Sequence, residues 1–306
     1  MTQLLQQTIT GALTGSVYAV VGLGLVVIAQ ATEIINFGQA AMGTFVTFIA
    51  WSLLLRLPYP AGFLLGTIVA FVVGALVERL VIRMVPEKER TGLNPLIVTL
   101  GLLFVFYGLT VGIYGGQPHP FPQPFAGPPI DLHGVHIGRA SLYLFGVSLA
   151  LVLALYLLFR HTRLGLVLRA TAANRTAAEL AGVPTDRMMM LAWGLGIACA
   201  GVAGMLLAQL LSLTPNMMDV VLVFAFAAAV VGGLDSMVGT LVGGVLLGVL
   251  QSLTGVYLGN VVRWLHLPFN IAQPQQYRDL IALVVIVVLL IVRPQGLFGR
   301  KRVVKL

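Results

Sequence analysis

The chain has 306 residues, of which 58% are hydrophobic and only 9% charged. A soluble domain carries about 25% charged residues, so an ordinary globular protein is excluded, and several runs approach or exceed the ~20 apolar residues that span a bilayer. The formal charge of +8 invites a nucleic-acid reading, but with so few charges in total their placement outweighs their sum.

The expected fold is an all-α polytopic membrane protein, one transmembrane domain over residues 1–306 with about eight to ten spans. The first seven residues, Met1 to Gln7, carry no basic region and no Ala-x-Ala site ahead of the first apolar run, which reads as no cleaved signal peptide. Apolar runs follow at 8–29, 34–55, 61–83, 94–114, 141–159, 188–211, 219–234, 238–258 and 279–293. Those at 219–234 and 279–293 are short for a ~30 Å hydrocarbon core. Short, Gly-interrupted segments are often broken or re-entrant where they line a cavity.

Fourteen of the 18 Lys and Arg fall in three segments: Arg79, Arg83, Lys88 and Arg90; Arg160, Arg163, Arg169, Arg175 and Arg187; and Arg293, Arg300, Lys301, Arg302 and Lys305. The positive-inside rule puts all three in the cytoplasm. Parity then places the N-terminus, the loop 115–140 and the loop 259–278 outside, and nine crossings are self-consistent. The loop 115–140 is rich in Pro and Gly and cannot continue a helix, so an extended, semi-rigid cap is expected. In the second outer loop Trp264, His266, Pro268, Phe269, Pro274 and Tyr277 read as interfacial anchors or as a surface for an external partner.

Gly11/Gly15, Gly239/Gly243 and Gly244/Gly248 are pairs spaced by four, which let helix backbones approach closely, either within the chain or between subunits. Gly232-Gly233-Leu234-Asp235-Ser236 reads as a break between helices. Cys199, the single cysteine, lies in an apolar run and cannot form an intrachain disulfide.

No phosphate-cradling G-x-x-x-x-G-K-[ST], no G-x-S-x-G and no H-E-x-x-H occurs. Neither catalysis nor a metal site is expected: His133 and His136 near Asp131 are a thin ligand set. The acids Glu33, Glu78, Asp219 and Asp279 sit at the edges of the runs rather than at mid-span, where coupling carboxylates of ion-driven carriers are placed. Energy is therefore expected from a partner.

Two segments rise above this background. In Glu33 to Met42, Asn36 and Gln39 are three apart and share a face if the segment is helical, beside Phe37 and Gly38. Amides inside a membrane need partners, so that face turns either to another helix or to a wet path. The second segment, Arg160 to Pro184, is basic and Ala-rich, with Gly182 as a stop. It reads as one or two short helices outside the bilayer, which dock a soluble subunit or lie on anionic lipid. Arg169, Ala172, Ala173 and Thr176 fall at helical spacing.

Together these motifs resemble the LivH-type permeases of bacterial ATP-binding-cassette importers for branched-chain amino acids, over essentially the whole length. The resemblance lies in Gly15-Ser16-Val17-Tyr18-Ala19, Ile35-Asn36-Phe37-Gly38, Arg163-x-Gly165-x3-Arg169-Ala170, Ala177-Ala178-x3-Gly182-Val183, Ala203-Gly204-Met205-Leu206 and Val231 to Ser236. It implies a translocation path shared with a second, LivM-type permease, two cytoplasmic ATPases that bind ATP and Mg, an extracytoplasmic binding protein, and residence in the bacterial inner membrane. It further implies that Tyr18, Asn36, Phe37 and Gln39 contribute to the path and that Arg163, Gly165, Arg169, Ala177, Ala178 and Gly182 contact the ATPase. Two departures stand out. Thr176 replaces the acid of the E-A-A-x3-G docking loop, and Gly38-Gln39 replaces the family's usual Ala-His. The second leaves the cargo open between hydrophobic amino acids and urea, short amides or other small polar solutes.

Overall fold

The computed structural model describes residues 2–85, 93–125, 127–132, 135–234, 236–264 and part of 277–298. Ten helices are named among them: α1 Thr2–Thr32, α2 Gln39–Leu54, α3 Tyr59–Leu80, α4 Asn94–Tyr114, α5 Arg139–His161, α6 Arg163–Ala173, α7 Arg175–Leu180, α8 Thr185–Leu207, α9 Asp219–Gly232 and α10 Met237–Trp264. Proline at the first turn starts α3 and α4, where its missing N–H costs no hydrogen bond. The sheet found among the described residues is a hairpin of β1, Ile130–Leu132, and β2, Val135–Ile137.

The chain is an all-α polytopic membrane protein. Among the described residues six helices are long and apolar enough to cross a bilayer, α1, α3, α4, α5, α8 and α10, and α2 and α9 are shorter apolar helices. The two central helices are α1 and α8, each with 83% of its most apolar window buried, against 22–39% for α3, α4, α5 and α10. The peripheral helices turn Leu64, Ile68, Phe104, Ile113, Leu149 and Leu153 outward, as lipid-facing surfaces require.

Glycine makes the central packing possible. Gly11 and Gly15 of α1 lie against Gly248 and Gly244 of α10, so close that a Cβ on any of them would meet the partner backbone. Gly239 and Gly243 meet Gly232 and Ala228 of α9 in the same way. All three four-spaced pairs are thus used within the chain.

Polar contacts mark the two ends of the bundle. At one end Arg83 bridges to Asp186 (3.5 Å), Asp186 to Arg175 (3.3 Å), and the backbone of Leu297 and Phe298 bonds to Val231 and Gly232. Arg83 and Arg175, from the first and second basic segments, therefore meet there through Asp186. At the opposite end Gln6 of α1 makes two bonds with the backbone of His136 in β2, and His119 pairs with Leu213 in an isolated bridge.

Several boundaries differ from expectation. The run 34–55 is helical only from Gln39, which makes α2 a third short segment. The loop 115–140 contains the hairpin. Helix α10 runs to Trp264 rather than 258, into the expected outer loop. Lys88, Arg90, His133, Asp235, His266, Pro268, Phe269, Pro274, Arg300, Lys301, Arg302 and Lys305 lie outside the described residues.

Candidate translocation and docking sites

Asn36 does not share a helical face with Gln39. It precedes α2 in a turn, where its Oδ1 accepts the Gly38 N–H at 3.0 Å, the local bond by which Asn competes with helix. Both amides are nonetheless fully enclosed, at 0% exposure. Gln39 projects into the gap that Gly24 and Gly196 leave between α1 and α8, and its Nε2 donates to Val21 O at 3.0 Å. Its Oε1 has no hydrogen-bond partner among the described residues. An orphaned buried acceptor costs about 1–3 kcal/mol, so this oxygen is a ready receptor for a donor that arrives from elsewhere. Gly38 is pressed on α4 at Thr99 and Leu102.

Phe37 and Tyr18 both meet α9. The Phe37 ring is 6.2 Å from Phe226, and Tyr18 stacks on Phe224 at 5.2 Å. The Tyr18 hydroxyl donates to Gln251 Oε1 at 2.8 Å, and Gln251 Nε2 donates to Asp279 Oδ1 at 2.5 Å. Phe37 and Tyr18 therefore pack on α9, Gln39 on α1 one turn beyond Tyr18, and Asn36 on the start of α2.

Toward the opposite end the Pro-rich segment packs onto the bundle. The Trp51 indole N–H donates to Pro120 O at 3.0 Å, the His119 ring lies 4.6 Å from Trp51 and edge-on to Phe48, and Phe121 is buried in the main core. Gln209 at the end of α8 donates to the Tyr59 hydroxyl at 2.7 Å. The Pro-rich segment is therefore inserted into the bundle mouth.

The basic end carries α6 and α7 outside the spans. Thr162 caps α6 by accepting Gly165 N–H (3.1 Å), and Asn174 caps α7 by accepting Ala177 N–H (2.9 Å). Asn174 is extended, at φ −161°. The spacing from Arg169 to Thr176 is therefore broken, and the two lie on separate helices. Gly165 is buried face to face with the α5 backbone at Leu158 and Phe159, so its role in this fold is to seat α6. Arg163 and Ala177 are exposed and Ala178 is buried. Arg169 is exposed, with its Nε bonded back to Gly165 O at 3.3 Å. Gly182 has φ +81°. Its N–H bonds to Glu179 O and that of Val183 to Ala178 O, the paired bonds of a Schellman stop. Leu164, Leu166 and Leu180 are exposed, Leu180 at 87%. Arg175 bonds Glu179 at 2.9 Å, and the Thr185 hydroxyl donates to the same carboxylate at 2.6 Å. These two contacts, the Thr185 bond first, hold the Glu179 carboxyl below the usual carboxylate range.

Residues 7–290 match the family described as branched-chain amino acid transport system / permease component. The chain belongs to this family. It is 30% identical to the high-affinity branched-chain amino acid transport system permease protein LivH of Salmonella typhimurium, with 98% of this chain and 97% of that protein covered. It is 29% identical to BraD of Pseudomonas aeruginosa, at the same coverage. The probable branched-chain amino acid permease LivH of Methanocaldococcus jannaschii is 30% identical over 90% of this chain and 87% of that one.

This permease is a transport subunit rather than an enzyme, and its family works with partner subunits. Sequence reasoning missed the Tyr18–Gln251–Asp279 chain, although a lone Gln inside the run 238–258 was the signal for it. It also missed the plug, whose signal was the aromatic and His content beside the prolines. In the hairpin, His136 Nδ1 lies 3.9 Å from Asp131, and among the described residues no three metal-ligating side chains converge.

Proposed function

We propose that this chain is the permease subunit of an ATP-binding-cassette importer that carries branched-chain and other hydrophobic amino acids inward across the bacterial cytoplasmic membrane. The observation that carries the reading is the exposed helix pair α6–α7 at the basic end of a chain related over its full length to branched-chain amino acid permeases. On this reading a second, LivM-type permease completes the path, and two ATPases, holding ATP and Mg, dock on the cytoplasmic face. An extracytoplasmic binding protein delivers cargo to the far end. Arg163, Ala177, Leu180 and Gly182 face the ATPase groove, while Gly165 and Ala178 hold the docking helices in place. Arg169 belongs to the same layer.

Tyr18, Asn36, Phe37 and Gln39 contribute to the path, which is shut by the His119–Phe121 plug. ATP binding closes the ATPase pair and shifts α6 and α7, and the bundle exchanges one closed end for the other through a bistable interface. The orphaned Gln39 oxygen gives the passing cargo a hydrogen-bond acceptor.

The test is recovery of the chain from native membranes in mild detergent, with partners identified by mass spectrometry and cargo by uptake of labelled leucine and urea. Two P-loop ATPases and a second permease, with leucine uptake that stops on ATP depletion, are expected. A chain recovered alone, with uptake that collapses with an ion gradient instead, overturns the proposal. Urea uptake in place of leucine overturns the cargo alone.

A further inference from the structure

Helices α5 and α10 flank α1 but scarcely touch each other. Between them runs a groove in three joined parts. The part at the basic end, about 220 Å³, is walled by Arg160, Arg169, Gln30 and Tyr156. It shares Tyr156, Met237 and Val238 with an apolar part of about 170 Å³. That in turn shares Leu149, Val152 and Leu241 with an apolar part of about 340 Å³ floored by Ser16 of α1. From Tyr156 to Phe145 along α5 the groove spans about 16 Å at 1.5 Å per residue, or about half a hydrocarbon core.

We infer that this groove holds one anionic phospholipid of the leaflet at the basic end, its phosphate on Arg160 and Arg169 and an acyl chain lying between α5 and α10. Charge complementarity selects the occupant. Two guanidiniums stand at the interfacial end, no carboxylate lines the groove among the described residues, and every part beyond Tyr156 is apolar. Arg160 is already oriented, with its guanidinium 5.9 Å from the Tyr156 ring centre. Arg169 lines the same part of the groove, with its Nε bonded to Gly165 O at 3.3 Å. Arginine suits a phosphate because it offers a planar fork of donors, and basic recesses between helices at this depth favour anionic headgroups. The apolar length distinguishes a lipid from free phosphate, which would use only the two arginines. The site also ties lipid to α6, since Arg169 belongs to that helix, and this holds whatever the chain transports.

The test is native mass spectrometry of the full-length permease, purified with its natural partners and titrated with phosphatidylglycerol, phosphatidylcholine or glycerol 3-phosphate. Phosphatidylglycerol is expected to bind about fivefold or more tighter than phosphatidylcholine and to resist displacement by millimolar glycerol 3-phosphate. Arg160→Gln should weaken it about fivefold, and Arg160→Lys, which keeps the charge but not the planar fork, should recover part of that loss. Leu241→Trp, which fills the groove without touching a charge, should expel the lipid and leave the assembly intact. Equal binding of the two lipids, displacement by glycerol 3-phosphate, or unchanged binding to Leu241→Trp overturns the inference. So does efficient cross-linking of a Leu149→Cys chain to a second permease subunit through the groove.

Discussion

Replacing Gly182 with Ala isolates the backbone conformation that ends α7. At φ +81° a side chain is strained by its own backbone, yet a Cβ there would meet nothing within 4 Å. The cost is therefore conformational only, about 1–2 kcal/mol. Helix α7 has six residues, far below the ~12–15 at which an isolated helix becomes even marginal, so it has no reserve to absorb the loss. A shift of this size raises the open-to-closed ratio of α7 by about five- to thirtyfold, while the spans, which do not share the strain, keep their stability. Hydrogen exchange of the full chain should show faster exchange at 175–183 in Gly182→Ala, with protection in α1 and α8 unchanged. Gly182→Asn should behave nearly as wild type, because Asn tolerates the left-handed region. Equal exchange in wild type and Gly182→Ala, or an Asn variant as perturbed as the Ala variant, would refute the reasoning.

Gly244→Ala places a methyl 2.7–2.8 Å from the Ala19 backbone and should destabilise the fold by about 1–3 kcal/mol, read as a lower thermal midpoint of the purified protein. Gly101→Ala, with open space around it, should be neutral or slightly stabilising. The lowered pKa of Glu179 means its contacts contribute above the ordinary carboxylate value and are lost as pH falls through the lower folded one. Acid should therefore loosen hydrogen exchange across 179–186, and Glu179→Gln should abolish that pH dependence. In a Cys199→Ala background, Gln39→Cys should resist a small thiol reagent and become reactive when Trp51→Leu removes the plug's anchor. Reactivity equal with and without Trp51 would mean that the segment does not seal the far end.

The membrane-spanning character of the chain and most of its apolar helices were legible because apolar length is a summed property that no single contact overrides. The start of α2 was not. The run 34–55 is apolar overall, and local features, the positive φ of Glu33 and the Asn36 bond to Gly38 N–H, accompany the delay of the helix to Gln39. Four-spaced glycines signalled close packing, but whether the facing backbone is the same chain's depends on tertiary placement, here α10 for Gly11 and Gly15. Gly165 and Gly182 look alike in a motif. One is required by the nearness of α5 and the other by a positive φ, a difference that spacing does not carry. The orphaned Oε1 of Gln39 is likewise a property of the enclosure rather than of the residue.

The break at Asn174 has a mechanical consequence. Helix α6 is bedded on the end of α5 through Gly165, whereas Arg175 at the start of α7 is tethered through Asp186 and Arg83 to α8 and the end of α3. Leu168 of α6 at the same time packs with Val27 of α1 and with Met188 and Ala192 of α8, so both short helices are fastened to the central pair, with a single extended residue as the joint. A load applied at this end therefore reaches α8 by two routes, the α6 seam and the Arg175–Asp186 tether.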